Sequence, residues 1–288
     1  MKLASIPSVS SLVVFSLSAL GCERAPESRS SVLSHDGVPI RFEVHGSGEP
    51  ALVFVHGWSC DRSYWDAQVP YFSERHRVVT IDLAGHGESG LGREDWTMRA
   101  FGQDVVAVVD ELGLQQVVLV GHSMGGPVVV EAARTLGDRV KLIVGADTFG
   151  DVSERWDQET MDSWLQAFRA DFPAATRDMV RTMFVPTSDS TLIERIVADM
   201  SGAPPEVGLG AMEANADWWN NEIETAFREL HVPVRLINSD YRPTNVDAGR
   251  EYTPSFDAVL MTGVGHFVMM EDPDTFNRLL REIVEIAR

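Results

Sequence analysis

The segment from Val117 to Arg134 constrains the fold of this chain more than any other. An apolar, β-branched run, Val117-Val118-Leu119-Val120, enters the turn Gly121-His122-Ser123-Met124-Gly125-Gly126. It leaves as Pro127-Val128-Val129-Val130-Glu131-Ala132-Ala133-Arg134, which can wind as a helix. A strand that passes into a helix through so tight a turn needs glycine on both sides of its apex. The backbone there is strained and crowded, and side chains at the flanking positions would clash. The apex residue Ser123 is thereby held above the edge of a sheet, at the N-terminus of a helix. Backbone N–H groups at that place can meet a developing negative charge.

The rest of the chain fits a sheet around that turn. Residues 37–46 alternate apolar and polar, which predicts a half-exposed edge strand. Ala51 to Val55 and Val78 to Ile81 are continuous apolar runs ending in glycine-bearing turns, the pattern of buried parallel strands. Amphipathic segments lie at 63–72 and 98–112, and further short strands are predicted at 140–145, 232–237 and 258–261. Phe276, Leu279, Leu280, Ile283 and Ile286 repeat at helical spacing, which predicts a closing amphipathic helix. This alternation implies an α/β fold with a mostly parallel sheet covered on both faces. The stretch 149–230 interrupts it. That stretch is helix-prone, lacks strand-like runs, and holds Trp156, Trp164, Trp218 and Trp219, four of the 7 Trp in the chain. It reads as a helical cap inserted into a core made of 34–148 and 231–288. Its aromatic residues are expected mainly to pack the cap onto the core.

The N-terminus has a different character. Lys2 is the only charge before Gly21, and the apolar run 11–20 is too short to span a bilayer. Residues 1–21 read as a secretory signal. Ala19-Leu20-Gly21-Cys22 resembles the lipobox of bacterial lipoproteins, with Ala19 where leucine is usual. That resemblance implies lipidation at Cys22 and an extracytoplasmic protein anchored to a bacterial envelope membrane on its periplasmic side. Residues 22–33 begin polar and aperiodic, as a flexible tether would be. The other of the 2 Cys, Cys60, then has no disulfide partner and is expected to pack as a small side chain. A formal net charge of −19 argues against nucleic acid as a partner, and against membrane contact other than through the anchor.

Chemistry-bearing residues recur at the strand ends. A serine hydroxyl is a poor nucleophile until a base removes its proton. Of the 8 His, only His266 combines a glycine turn at a strand end with a position after every other candidate. His56 and His86 adjoin glycine turns and are expected to shape loops by hydrogen bonding. Gly85-His86-Gly87-Glu88-Ser89-Gly90 matches a dinucleotide fingerprint, yet no helix follows at once to cap a pyrophosphate. No cluster with metal-ligand spacing is visible, and no cofactor is expected.

Four motifs carry a family resemblance over about residues 35–288. They are Phe54-Val55-His56-Gly57-Trp58, Asp82-Leu83-Ala84-Gly85-His86-Gly87-Glu88-Ser89, Gly121 to Gly125, and Gly263-Val264-Gly265-His266-Phe267. With them the chain resembles the α/β-hydrolase family, in particular its lid-bearing esterases, lactonases and C–C hydrolases. The resemblance implies Ser123 as nucleophile and His266 as base. Backbone N–H groups of Met124 and Trp58 would form the oxyanion hole, with Trp58 and His122 beside the substrate pocket. For the acid it offers Asp240, in the turn after the strand 232–237, and as an alternative Asp147, where some relatives carry theirs. The expected function is hydrolysis of a small apolar carboxylic ester or lactone through an acyl-enzyme. The alternatives are a C–C hydrolase with the same triad and a noncatalytic protein that binds a hydrophobic ligand. A serine nucleophile speaks against dehalogenase and epoxide hydrolase chemistry, which in this family begins with aspartate.

Overall fold

The structure, a computed structural model, describes Met1, residues 28–253 and residues 255–286. The signal segment and Cys22 lie outside the described residues. Eight strands form one sheet: β1 (Ser28–Leu33), β2 (Pro39–His45), β3 (Ala51–Val55), β4 (Val78–Ile81), β5 (Val117–His122), β6 (Val140–Ala146), β7 (Val234–Ser239) and β8 (Phe256–Met261). Their order is β1-β2-β4-β3-β5-β6-β7-β8. Pairs β1/β2 and β2/β4 are antiparallel, and every later pair is parallel. The apolar runs at β3, β4 and β5 are buried along their whole length, because helices cover both faces of a parallel sheet.

Two expectations at the N-terminal edge need correction. Residues 28–33 are not tether but strand β1, registered from Ser28 opposite Val44 to Leu33 opposite Pro39. The alternating strand β2 is therefore not the edge: β1 covers one side of it and β4 the other. A polar segment can still pair when a neighbouring strand offers free backbone groups, and side-chain periodicity does not record that.

The core helices are α1 (Gln68–Phe72), α2 (Met98–Glu111) and α3 (Gly125–Leu136). The cap follows β6 as α4 (Gln158–Ala170), α5 (Phe172–Arg181), α6 (Ser190–Ser201), α7 (Pro205–Asn221) and α8 (Ile223–Arg228). After β7 come α9 (Val246–Tyr252), α10 (Val268–Glu271) and α11 (Pro273–Ile286). Helices α2, α3, α8 and α9 pack as one layer, and α1, α10 and α11 as another. Asp157, Asp171 and Asp189 each cap a cap-domain helix with a side-chain oxygen on a first-turn N–H. Trp218 of α7 donates its indole N–H to Glu131 of α3 at 2.8 Å, tying cap to core in a buried position. The result is the α/β-hydrolase fold with a helical cap between β6 and β7. No described helix is long and apolar enough to cross a membrane.

Candidate active site

Ser123 sits at the end of β5 with φ +52°, the left-handed conformation that the tight turn imposes. The flanking glycines are needed for space. A Cβ on Gly121 would lie 2.2 Å from the carbonyl oxygen of Gly125. One on Gly125 would lie 2.7 Å from the carbonyl oxygens of Val55 and His56. The turn is pinned from the next strand as well. Ser123 N–H donates to Ala146 O at 3.1 Å, and the Thr148 hydroxyl donates to Ser123 O at 3.0 Å. Among the described residues the Ser123 hydroxyl itself has no hydrogen-bond partner.

His266 follows β8 and reaches back to the end of β6. Its Nδ1–H donates to Asp147 Oδ2 at 2.6 Å, which leaves the lone pair on Nε2. The acid paired with the imidazole is thus Asp147 and not Asp240. Asp240 is exposed, and its backbone N–H donates to Met261 O at 2.9 Å. The physical reason lies one residue earlier. Ser239 gives Asp147 Oδ1 two further donors, its N–H at 2.7 Å and its hydroxyl at 3.0 Å. Asn238 brackets Thr148, accepting from its N–H at 3.2 Å and donating to its carbonyl at 3.0 Å. The end of β7 therefore braces an acid on β6 and does not supply one. Burial acts to raise the Asp147 carboxyl, but the His266 hydrogen bond and charge, with the Ser239 donors, hold it below the usual carboxylate value. Sequence reasoning missed Ser239 and Asn238; the only local signal was a serine where the family's glycine was expected.

The loop after β3 lies directly on the elbow. A Cβ on Gly57 would meet His122 Nδ1 at 2.9 Å and Ser123 Cβ at 3.2 Å, so Trp58 follows the residue that packs on Ser123. Among the described residues, neither the Trp58 nor the Met124 backbone N–H donates to a protein acceptor. The Trp58 indole N–H donates to Gly208 O in the cap at 2.7 Å, and its ring meets Phe168 edge-on and Phe172 at a tilt. Trp58 thus joins the core loop to the cap's aromatic residues. His122 does not line a pocket. It is 1% exposed, and its Nε2–H donates to the carbonyl of His266 at 3.0 Å.

The other buried histidines shape loops. His56 donates from Nδ1 to Gly57 O at 2.8 Å and accepts the Leu83 N–H on Nε2 at 3.0 Å, which requires a neutral ring. Burial pulls His56 down to about 4, and His86 and His122 to about 3. Asp82 organises the turn 82–89, accepting from the N–H groups of Arg62 at 2.8 Å and Glu88 at 2.9 Å and from the Arg62 guanidinium. Gly87 must lack a side chain there, since its Cβ would lie 2.4 Å from the Asp82 carboxylate. Gly87 thus belongs to a carboxylate-centred turn. Cys60 is buried, its thiol pushed upward by burial and donating to Trp58 O at 3.3 Å, so it packs as an unreactive side chain. Among the described residues no group of His, Cys, Asp and Glu is placed to hold a metal ion.

Such a fold and such a strand-end constellation define a capped hydrolase of the α/β class. The model of the alpha/beta hydrolase family matches residues 52–279, and the chain belongs to that family. It is 22% identical to 3-oxoadipate enol-lactonase 2 of Acinetobacter baylyi over 88% of this chain and 96% of that protein. It is 30% identical to bifunctional epoxide hydrolase 2 of Sus scrofa, over 99% of this chain and 60% of that one. A thermophilic esterase from Thermogutta terrifontis superposes with a TM-score of 0.78 at 24% identity, covering 90% of this chain and 99% of the esterase. These relatives support a hydrolytic enzyme.

Proposed function

We propose that the protein is a serine hydrolase that cleaves a small apolar carboxylic ester or lactone through an acyl-enzyme. The observation that carries this reading is the His266–Asp147 hydrogen bond of 2.6 Å, on a loop whose His266 carbonyl accepts from His122, the residue before the strained Ser123. In the first step Ser123 Oγ bonds to the substrate carbonyl carbon, and its proton passes to His266 Nε2. The carbonyl π pair moves onto oxygen, where the N–H groups of Met124 and Trp58 receive it. The intermediate collapses by breaking the bond to the leaving oxygen, which takes the proton from Nε2. Water then repeats the sequence and frees the acid. Asp147 holds the imidazole in its Nδ1–H tautomer and stabilises the positive charge that forms. Trp58 with Phe168 and Phe172 supports an apolar acyl environment.

A fluorophosphonate probe tests the reading. Native protein should be labelled at Ser123, with Ser123→Ala and heat-denatured protein unlabelled, and p-nitrophenyl acetate should turn over only with Ser123 present. Absence of labelling in folded protein would leave the noncatalytic binding role. A panel of graded esters and lactones, with a meta-cleavage product included, separates C–O from C–C hydrolysis. We also propose the lipid anchor at Cys22: radiolabelled palmitate should enter the native chain, and Cys22→Ser should abolish incorporation.

A further inference from the structure

The loop that carries His266 is held from the cap as well as from the core. His266 N–H donates to Met183 O at 2.8 Å, and Met183 lies in the connection between α5 and α6. Gly265 must be glycine for this approach, since a Cβ there would lie 2.3 Å from the same carbonyl. The ring of Phe267 stacks on Phe184 with centroids 5.2 Å apart. On the core side stands Glu271, the last residue of α10. Its carboxylate accepts the Gly265 N–H at 3.0 Å, the Phe267 N–H at 3.2 Å and, from the cap, the Ser188 hydroxyl at 2.5 Å. Tyr241, in the turn after β7, adds a hydroxyl donated to Thr182 O.

We infer that Glu271 is a positioning residue that makes the placement of His266 depend on the seated cap segment 182–188. The inference rests on reading His266 as the base. Both neighbours of His266 hang by their N–H groups from one carboxylate, and the same carboxylate is shared with the cap. His266 N–H has its acceptor only in the cap. When segment 182–188 lifts, the Met183 carbonyl and the Ser188 hydroxyl leave together. A loop freed at Gly263, where φ is +75°, then has no reason to keep the imidazole on Asp147. A carboxylate suits the post because only donors converge on it; a glutamine amide would set its own N–H groups against at least one of them. A displacement of about 1 Å at a catalytic group costs on the order of 100-fold in rate.

The test uses Glu271→Gln and Ser188→Ala in the full chain. Three readouts are taken: kcat and KM on p-nitrophenyl acetate, fluorophosphonate labelling, and the His266 ring 15N shifts that report its tautomer. Glu271→Gln should lower kcat about 10- to 100-fold with KM nearly unchanged, and move the ring from the Nδ1–H tautomer toward a mixture. Ser188→Ala should change the same readouts in the same direction by a smaller factor, about threefold. Wild-type kcat and an unchanged tautomer in both variants would overturn the inference, as would a fall in thermal stability alone. If Glu271→Gln does not fold, Ser188→Ala decides by the same criteria. The 15N readout needs no turnover, so a wild type that fails to label at Ser123 refutes the hydrolase reading while the latch is still judged.

Discussion

Asp147 holds φ +44°, a left-handed conformation that aspartate tolerates better than most side chains. The strain turns its carboxylate across the sheet edge, where Ser239 and His266 bind it. Asp147→Asn should lower kcat on p-nitrophenyl acetate by roughly 10³–10⁴-fold, since an amide cannot hold the same tautomer. Asp240→Asn should leave kcat within about twofold, because that side chain is exposed and outside the relay. Equal losses in the two variants would contradict the pairing. The strand-end placements of Ser123 and His266 were legible in the sequence because glycine turns mark them locally. The acid was not. It lies 119 residues from His266 along the chain, and two strand ends offered a carboxylate. Which one meets the imidazole depends on how β6 and β7 stand side by side, and residue spacing along the chain does not carry that.

The elbow and the cap contact are properties of elements. Gly121→Ala would place a Cβ 2.2 Å from a backbone carbonyl, so the turn must open. Labelling of Ser123 should fall by more than about tenfold, and a wild-type labelling rate would show that the turn yields without consequence. Between cap and core, Trp218→Phe removes a buried donor to Glu131 and should reduce unfolding free energy by about 1–3 kcal/mol in urea titration. At this scale the sequence was largely readable. The strands from β3 to β8 fall close to their apolar runs, and the closing helix follows its periodicity. Strand β1 was not readable, because its polar residues pair through backbone groups with a neighbour that alternation alone did not show to be available.

Across the whole molecule, three buried neutral histidines make stability sensitive to acid. His56 titrates at about 4 and His86 and His122 at about 3 in the fold, against an ordinary value of 6.5. Below pH 6.5 the unfolded chain therefore binds more protons than the folded one, and stability falls as pH falls toward 4. Each such imidazole contributes up to about 1.4 kcal/mol per pH unit to that slope. Asp147 acts in a different window: its depressed carboxyl stabilises the fold above the ordinary 3.8, and that share is lost only in stronger acid. Urea unfolding at pH 7, 6, 5 and 4.5 checks this, and a flat profile would exclude it. By itself the sequence determined a serine on a strand–helix elbow, a histidine on a late glycine loop, a mostly parallel sheet and a helical insertion. These follow from local sterics and from periodicities of a few residues. Tertiary structure alone decided the acid, the inward turn of His122, the pairing of β1 and the latch between Glu271 and the cap. Each of these is a contact between distant segments, chosen by which backbone and side-chain groups the packed sheet and cap leave within hydrogen-bond reach.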